Sequence, residues 1–282
     1  MGVPRHNSPS GRNRSNTTDT RTHKDIKGRA AKRIVVLPDI HAPNHYEPAV
    51  SSVIEFIKFY KPTHLVQLGD LCDWDSISNY EIRREQDIIT IDEEIEEVNE
   101  LLDRIDKSVS KDCDKTLIGG NHEARYERAR LNRGHDVIIR QLKDFSSWSK
   151  EYNLSRRGWK YVEYGECVTI GKVVFTHGWS SGPTAATKHL NMFHKNIIFG
   201  HTHTFNVAIG SGLDGHPVIS ATIGTLSKFD LSYLVGKPPV NWIHMFAYLD
   251  MFENGNFTPH FVPIIDGTFI VDGRLFKPKV RI

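Results

Sequence analysis

Short apolar runs set between longer amphipathic stretches lay out the plan of this chain. Residues 34–37 are β-branched and apolar without alternation, the pattern of a strand buried on both faces. Residues 47–60 carry Val50, Val53, Ile54 and Ile57 at helical spacing, and Pro62 ends the run. A second apolar run at 65–68 completes a β-α-β unit, which implies parallel strands and a right-handed crossover. From 87 to 106 a single stripe of Ile88, Ile91, Ile95, Val98, Leu102 and Ile105 predicts a long helix. Its other faces hold Asp92, Glu93, Glu94, Glu96, Glu97, Glu100 and Asp103, which read as a solvated surface rather than a cation site. A strand near 115–118 follows, and then a helical region over roughly 122–150 with Arg125, Arg128, Arg130, Arg133 and Arg140 among its apolar positions.

Beyond about residue 158 the pattern turns β-rich. Strand-like pieces at 160–164, 166–170 and 172–176 are separated by Gly165 and Gly171, a helix is expected near 184–194, and a buried strand at 196–199 runs into Gly200. Further strand-like runs at 204–209, 217–221, 244–250, 257–265 and 268–276 alternate with Gly, Asn and Pro. His189 and His194 fall at ordinary amphipathic positions of the helix, and no internal repeat is present. Leu226 to Val240, with Lys237-Pro238-Pro239, reads as a long irregular loop, either a lid or an interface.

Composition adds bounds rather than elements. With 282 residues, 39% apolar and 25% charged, the chain is long enough for a large core. Cys72, Cys113 and Cys167 are too few and too scattered for a disulfide framework or a thiolate zinc site, which points to a reducing compartment. No apolar stretch reaches membrane-spanning length and no signal-peptide core precedes the first strand, so the expected location is cytoplasmic. Charge, by contrast, divides the chain. Residues 1–33 hold nine Lys or Arg against Asp19 and Asp25, a local balance of +7 that leaves the remainder at −5. Poor in large apolar side chains, this tail is expected to be disordered ahead of one domain over 34–282. It is either an electrostatic arm for nucleic acid or a solvated extension, and it carries no Phe, Tyr or Trp on which a base could stack.

The chemistry lies where the apolar runs end. They deliver, in order, Asp39-x-His41, Gly69-Asp70, Gly120-Asn121-His122-Glu123, His177-Gly178 and Gly200-His201-x-His203. In open α/β sheets such groups gather beyond the carboxyl ends of the strands. Asp39, Asp70 and Asn121 would then pool with His41, His177, His201 and His203, three oxygen donors with four imidazoles. Packed together without counterions these groups repel or are costly to desolvate, and two divalent cations bridged by Asp70 resolve that. A donor set of imidazole and oxygen without thiolate suits manganese, iron or zinc.

These five motifs, in this order over residues 34 to about 205, resemble those of the calcineurin-like metallophosphoesterases. Asn241-Trp242 and Asp272-Gly273-Arg274 in the later part are similar to phosphoesterases of phage or prophage type. The resemblance implies an α/β fold, a four-layer α-β-β-α sandwich. It implies one cation held by Asp39, His41, Asp70 and His203 and a second held by Asp70, Asn121, His177 and His201, with manganese foremost and iron, zinc, cobalt or nickel as alternatives. A metal-bound hydroxide would attack phosphorus in line, and no phosphoenzyme would form. His122 would give a proton to the leaving oxygen or stabilise phosphoryl charge, with Glu123 or another carboxylate orienting its ring, and Asn121, His122 and Arg125 would face the substrate. Asp73 either supports His122 or is a loop aspartate turned to water. The segment Trp74 to Gln86, with Ile77, Tyr80 and Ile82, is expected beside the site, shaping entry. Three functions follow: hydrolysis of a phosphomonoester or small phosphodiester, a nuclease or end-processing enzyme served by the basic tail, and a non-catalytic scaffold. The last normally lacks ligands, and none is missing here.

Overall fold

The computed structural model describes residues 31–78, 88–131 and 145–279. Most of the basic tail, Tyr80 and Ile82, and Arg133 and Arg140 lie outside the described residues. Strands β1 (Lys32–Leu37), β2 (His64–Gln67), β3 (Asp114–Ile118) and β4 (Trp159–Val162) run parallel in one sheet. A second sheet holds β5 (Val168–Ile170), β6 (Val173–Thr176), β7 (Asn196–Phe199), β8 (Asn206–Ser211) and β9 (Pro217–Thr222) in the order β5-β6-β7-β9-β8. Its three central strands are parallel and its two edges antiparallel. Then β10 (Met245–Met251) and β11 (Phe257–Pro263) return to the first sheet, where β10 pairs antiparallel with β1 and β11 with β10. A hairpin of β12 (Phe269–Val271) and β13 (Arg274–Phe276) follows.

Side-chain alternation turns these two mixed sheets into layers. Within β1, Ile34 and Val36 join Val66, Leu68, Val173, Phe175, Ile198 and Leu249 in a core between the sheets. The opposite face, Val35 and Leu37, packs against helix α1 (Glu47–Tyr60) and helix α2 (Ile91–Asp106). On the far side, Ile197 and Phe199 of β7 bury against Ala185 and Ala186 of helix α4 (Ala185–Phe193), whereas helix α3 (Asn121–Leu131), which follows β3, buries Tyr126 in the core shared with α1 and α2. The result is the expected α-β-β-α order. Each fully buried aliphatic side chain is worth about 1.5–3 kcal/mol, so strands apolar on both faces are held only when covered on both.

Local signals account for most element boundaries. α1 begins with Pro48 in its first turn, buries Val50, Val53, Ile54 and Ile57, and ends where Lys61 takes a left-handed conformation before Pro62. Thr90 and Glu93 form a capping box that starts α2 at Ile91, later than the predicted 87, and Ile88 falls outside the stripe at 66% exposure. The expected solvated face of α2 also needs correction, because Glu94 is fully buried and accepts hydrogen bonds from the Asp75 and Ser76 backbone. The tail boundary moves as well: Lys32 and Arg33 belong to β1, paired with Met251 and Asp250. Between Trp148 and Arg157 two single helical turns replace the end of the long helix predicted over 122–150. The β-rich second half forms the whole of the second sheet and also sends β4, β10 and β11 to the first. Finally, the run at 268–276 is a hairpin, not one strand.

Candidate metal centre

Five parallel strands feed one cleft. Asp39 and His41 follow β1, Asp70 follows β2, Asn121 and His122 open α3 after β3, His177 follows β6, and His201 and His203 follow β7. Four of these residues sit in left-handed backbone conformation, His41 (φ 55°), Asp70 (φ 48°), His201 (φ 70°) and His203 (φ 58°). Asp and His are among the few non-glycine residues that tolerate this region, at a cost of roughly 1–2 kcal/mol each. The motif glycines make room for the carboxylates. A Cβ on Gly120 would meet Asp70 Oδ1 at 2.1 Å, and one on Gly200 would meet Asp39 Oδ1 at 2.2 Å.

All seven candidate ligands converge. His203 Nε2 lies 3.1 Å from Asp39 Oδ2 and 3.0 Å from His41 Nε2, forming one group of Asp39, His41 and His203. A second group joins Asp70, His177 and His201, with His177 Nε2 3.4 Å from Asp70 Oδ2. Asn121 Oδ1 completes it, 2.9 Å from His177 Nε2 and 2.8 Å from His201 Nδ1. Asp70 stands between the groups, its Oδ2 also 3.9 Å from His41 Nε2 and 3.8 Å from His122 Nε2.

The donor chemistry fits cations. The backbone carbonyl of Leu68 accepts from His177 Nδ1, which fixes the ring proton there and turns the Nε2 lone pair toward two oxygen acceptors. Likewise the Asp73 carboxylate takes the Nδ1 proton of His41, leaving two Nε2 atoms of separate imidazoles face to face. His203 Nδ1 is buried with no hydrogen-bond partner. Lone pairs and carboxylate oxygens converging without hydrogens between them are what divalent cations satisfy.

Charge in the cluster points the same way. Among the described residues no lysine or arginine forms an ion pair with Asp39, Asp70 or Asp73, whose partners are all imidazoles. Burial opposes ionisation of Asp70, yet His177, His122 and His41 hold it well below the usual carboxylate range. Against the same burial His41 and His177 are pushed up to about 9, by Asp73 and by Asp70 respectively. Burial wins for His201 and His203, which are lowered. Positive charge is thus demanded at the centre of the cluster, where imidazoles or cations must supply it.

Around His122 the structure decides two points that the sequence left open. The carboxylate beside its ring is Asp73 and not Glu123: His122 Nδ1 donates to the Asp73 carbonyl at 2.6 Å, with Asp73 Oδ1 at 3.2 Å. Asp73 does not face water, being 2% exposed and bonded to His41 as well. Glu123 is fully buried and serves as a clamp on the backbone. It accepts from the N–H groups of Asp70 (3.0 Å), Leu71 (3.1 Å) and Gly120 (2.8 Å) and from Tyr152 Oη (3.2 Å). It sits one residue beyond His122 on α3, and helical geometry turns the two side chains apart.

Beside His122 opens a cavity of about 210 Å³ lined by Asp73, Asp75, Ser78, Asn121, His122, Arg125, Tyr233 and Lys237. Arg125 donates to His122 Nε2 at 3.3 Å and reaches the Asp73 carbonyl at 3.4 Å. Tyr233 and Lys237 come from the loop at 226–240, the ammonium lying 5.6 Å from the Tyr233 ring centroid. That loop therefore flanks the site, tied to it by Leu226 N–H donating to the Asp39 carbonyl and Lys228 N–H to that of Asn44. Asn44 in turn donates to both Asp73 (2.8 Å) and Asp75 (2.7 Å), and Trp242 packs edge-on against His203. Tyr233, Lys237, Asn44 and Glu94 escaped the sequence reading because no spacing connects them to the motifs.

Comparison with known proteins gives a family and two phage relatives. The profile of the calcineurin-like phosphoesterases matches residues 32–205, a span that contains every candidate ligand. The gene 54 protein of Mycobacterium phage L5 is 26% identical over 268 residues, covering 88% of this chain and 99% of that protein. The gene 54 protein of Mycobacterium phage D29 is 24% identical with the same coverage. Among solved structures, Vps29 of Chaetomium thermophilum aligns with a TM-score of 0.47 at 13% identity, covering 88% of this chain and 97% of that one. Vps29 of Entamoeba histolytica complexed with zinc aligns with a TM-score of 0.44 at 14% identity, covering 87% and 97%.

Proposed function

The chain belongs to the calcineurin-like phosphoesterase family, and on that premise we propose that it hydrolyses phosphomonoesters or small phosphodiesters at a centre of two divalent cations, manganese foremost. The observation that carries the reading is the pair of Asp/His groups with Asp70 between them. Asp39, His41, Asp70 and His203 hold one cation, and Asp70, Asn121, His177 and His201 the other. When bound, the two cations supply positive charge for a phosphoryl oxygen and lower the pKa of water at the site.

The protein's own groups do the rest. His122 presents Nε2 to the leaving oxygen, because Asp73 holds its Nδ1 proton in place. To hand over a proton the ring must carry a second one, on Nε2, which Arg125 now blocks by donating there. The guanidinium therefore turns from His122 to the substrate as the ester enters. Asp73 fixes the orientation of the His122 ring through its carbonyl and its buried carboxylate. Glu123 holds the Asp70 and Gly120 loops at one separation, fixing the distance between the carboxylate and His122.

The test is hydrolysis by manganese-loaded protein of a phosphomonoester, a simple phosphodiester and labelled single- and double-stranded nucleic acids, with Asp70→Asn alongside. Small-ester turnover that vanishes in the variant supports this reading. Cleavage of the polymers instead makes the protein a nuclease and the basic segment its substrate arm. Inertness of both proteins across several metals reopens the scaffold reading.

A further inference from the structure

The cavity beside His122 carries two cations of the chain, Arg125 and Lys237, and two carboxylates, Asp73 and Asp75. Arg125 and Lys237 line it together with Tyr233, while Asp75 and Ser78 stand on the wall nearer the acidic loop. Neither Arg125 nor Lys237 forms an ion pair with a carboxylate among the described residues. Arg125 rests on an imidazole nitrogen and a carbonyl, Lys237 over an aromatic ring. Both charges are thus poised for an anion that arrives with the ligand. Their position relative to the chemistry defines which part of the ligand that is. Because His122 and Asn121 form the boundary between cavity and cation cluster, whatever leaves past His122 enters this cavity.

Resting on the phosphoesterase reading, we propose that the cavity is a leaving-group subsite in which Arg125 and Lys237 bind a second phosphate carried by the departing alcohol. The substrate class is then a phosphoester of a phosphorylated sugar or nucleotide rather than of an uncharged alcohol. A planar guanidinium and a point-charge ammonium on one cavity match a phosphate dianion, which offers several oxygens and more than one charge, better than a single carboxylate. Volume agrees, since about 210 Å³ is many times the roughly 10–15 Å³ that holds a single water. The carboxylate of Asp75 does not contradict an anion here. Bonded to Asn44, it offers an acceptor for the hydroxyls of a sugar between the two phosphates. Arg125 connects the subsite to the reaction, because an anion that draws its guanidinium away frees His122 Nε2.

Binding separates this proposal from catalysis. Calorimetry of the manganese-loaded full chain with thymidine 3′,5′-bisphosphate and with thymidine 5′-monophosphate should give at least tenfold tighter binding of the bisphosphate, about 1.4 kcal/mol. In Lys237→Ala that ratio should collapse toward one, and in Lys172→Ala, a distant surface lysine, it should persist. The same comparison by kcat/KM uses a dinucleoside monophosphate with and without a terminal phosphate on the leaving nucleoside, with the same collapse expected in Lys237→Ala. Equal binding of the two nucleotides by wild type, or a preference that survives in Lys237→Ala, overturns the subsite while leaving the phosphoesterase reading intact. Failure of both nucleotides to bind the metal-loaded protein overturns the subsite and leaves the phosphoesterase reading to the hydrolysis test.

Discussion

The Asp/His cluster and the rim of the adjoining cavity share His122, but they differ in how their side chains are fixed. Asp39, His41, Asp70 and His177 are at most 2% exposed, and neighbours from other strands hold them by ring nitrogens, carboxylate oxygens and backbone N–H groups. Lys237 is exposed on an irregular loop, and its ammonium lies over a single aromatic ring. Several buried hydrogen bonds per side chain leave the cluster essentially one geometry, whereas the rim can vary without disturbing the sheets. On the proposed reading, the groups of the reaction are built into the fold at a cost in backbone strain, and those that choose the substrate stand where change costs little.

The comparison breaks most visibly at Asp70. Asp70→Asn should lower kcat/KM on the order of a thousandfold, the several kcal/mol of charge stabilisation lost, and reduce manganese stoichiometry in equilibrium dialysis below two. Removal of the clamp tests whether the cluster depends on its support. Glu123→Ala takes the acceptor from the N–H groups of Asp70, Leu71, Cys72 and Gly120, and urea unfolding should show a loss of about 3–5 kcal/mol together with weakened manganese binding. An unchanged midpoint would mean that the loops are held by something else.

Glu94 sharpens the picture from the second sphere of support, since it holds the turn that follows Asp73. Burial, only partly offset by its bonds to Ser76 and Asp75, raises its carboxyl from 4.5 to about 8. A raised folded-state value means that the native protein keeps a proton the unfolded chain gives up, so stability falls as pH rises from near 4.5 to near 8. Glu94→Gln should remove this slope, gaining on the order of 2 kcal/mol relative to wild type between pH 5 and pH 8 in thermal or urea unfolding. Parallel pH profiles of the two proteins would show that Glu94 is ionised in the fold. The smallest effect belongs to the rim: Lys237→Ala should change unfolding free energy by less than about 0.5 kcal/mol, and a larger loss would show that the loop is structural.

Much of this was legible in the chain itself. Apolar runs ending in Asp39, Asp70, Asn121, His177 and His201 placed five strand ends, because an uncharged apolar run must be buried and the polar residue after it breaks the run. The stripe in α1 and the stop at Pro62 set that helix correctly. Periodicity, by contrast, is blind to partners. Nothing in the acidic run of α2 distinguishes Glu94 from Glu96 or Glu97, yet Glu94 alone of the three is buried, since it meets the turn at Asp75–Ile77. Nor does spacing reveal that Asp73, rather than Glu123, supports His122.

What the sequence determined by itself is therefore the inventory, namely the strands, their polar ends, and a donor set that calls for cations. Each of these follows from local chemistry, in which a residue's neighbours in the chain settle its environment. The tertiary structure alone decided that β10 returns to pair with β1 and β11 with β10, that Glu123 clamps the backbone, and that Lys237 and Tyr233 line one cavity with Arg125. Those contacts join residues far apart in the chain, whose meeting depends on how two sheets pack face to face, and no local pattern of side chains encodes that geometry.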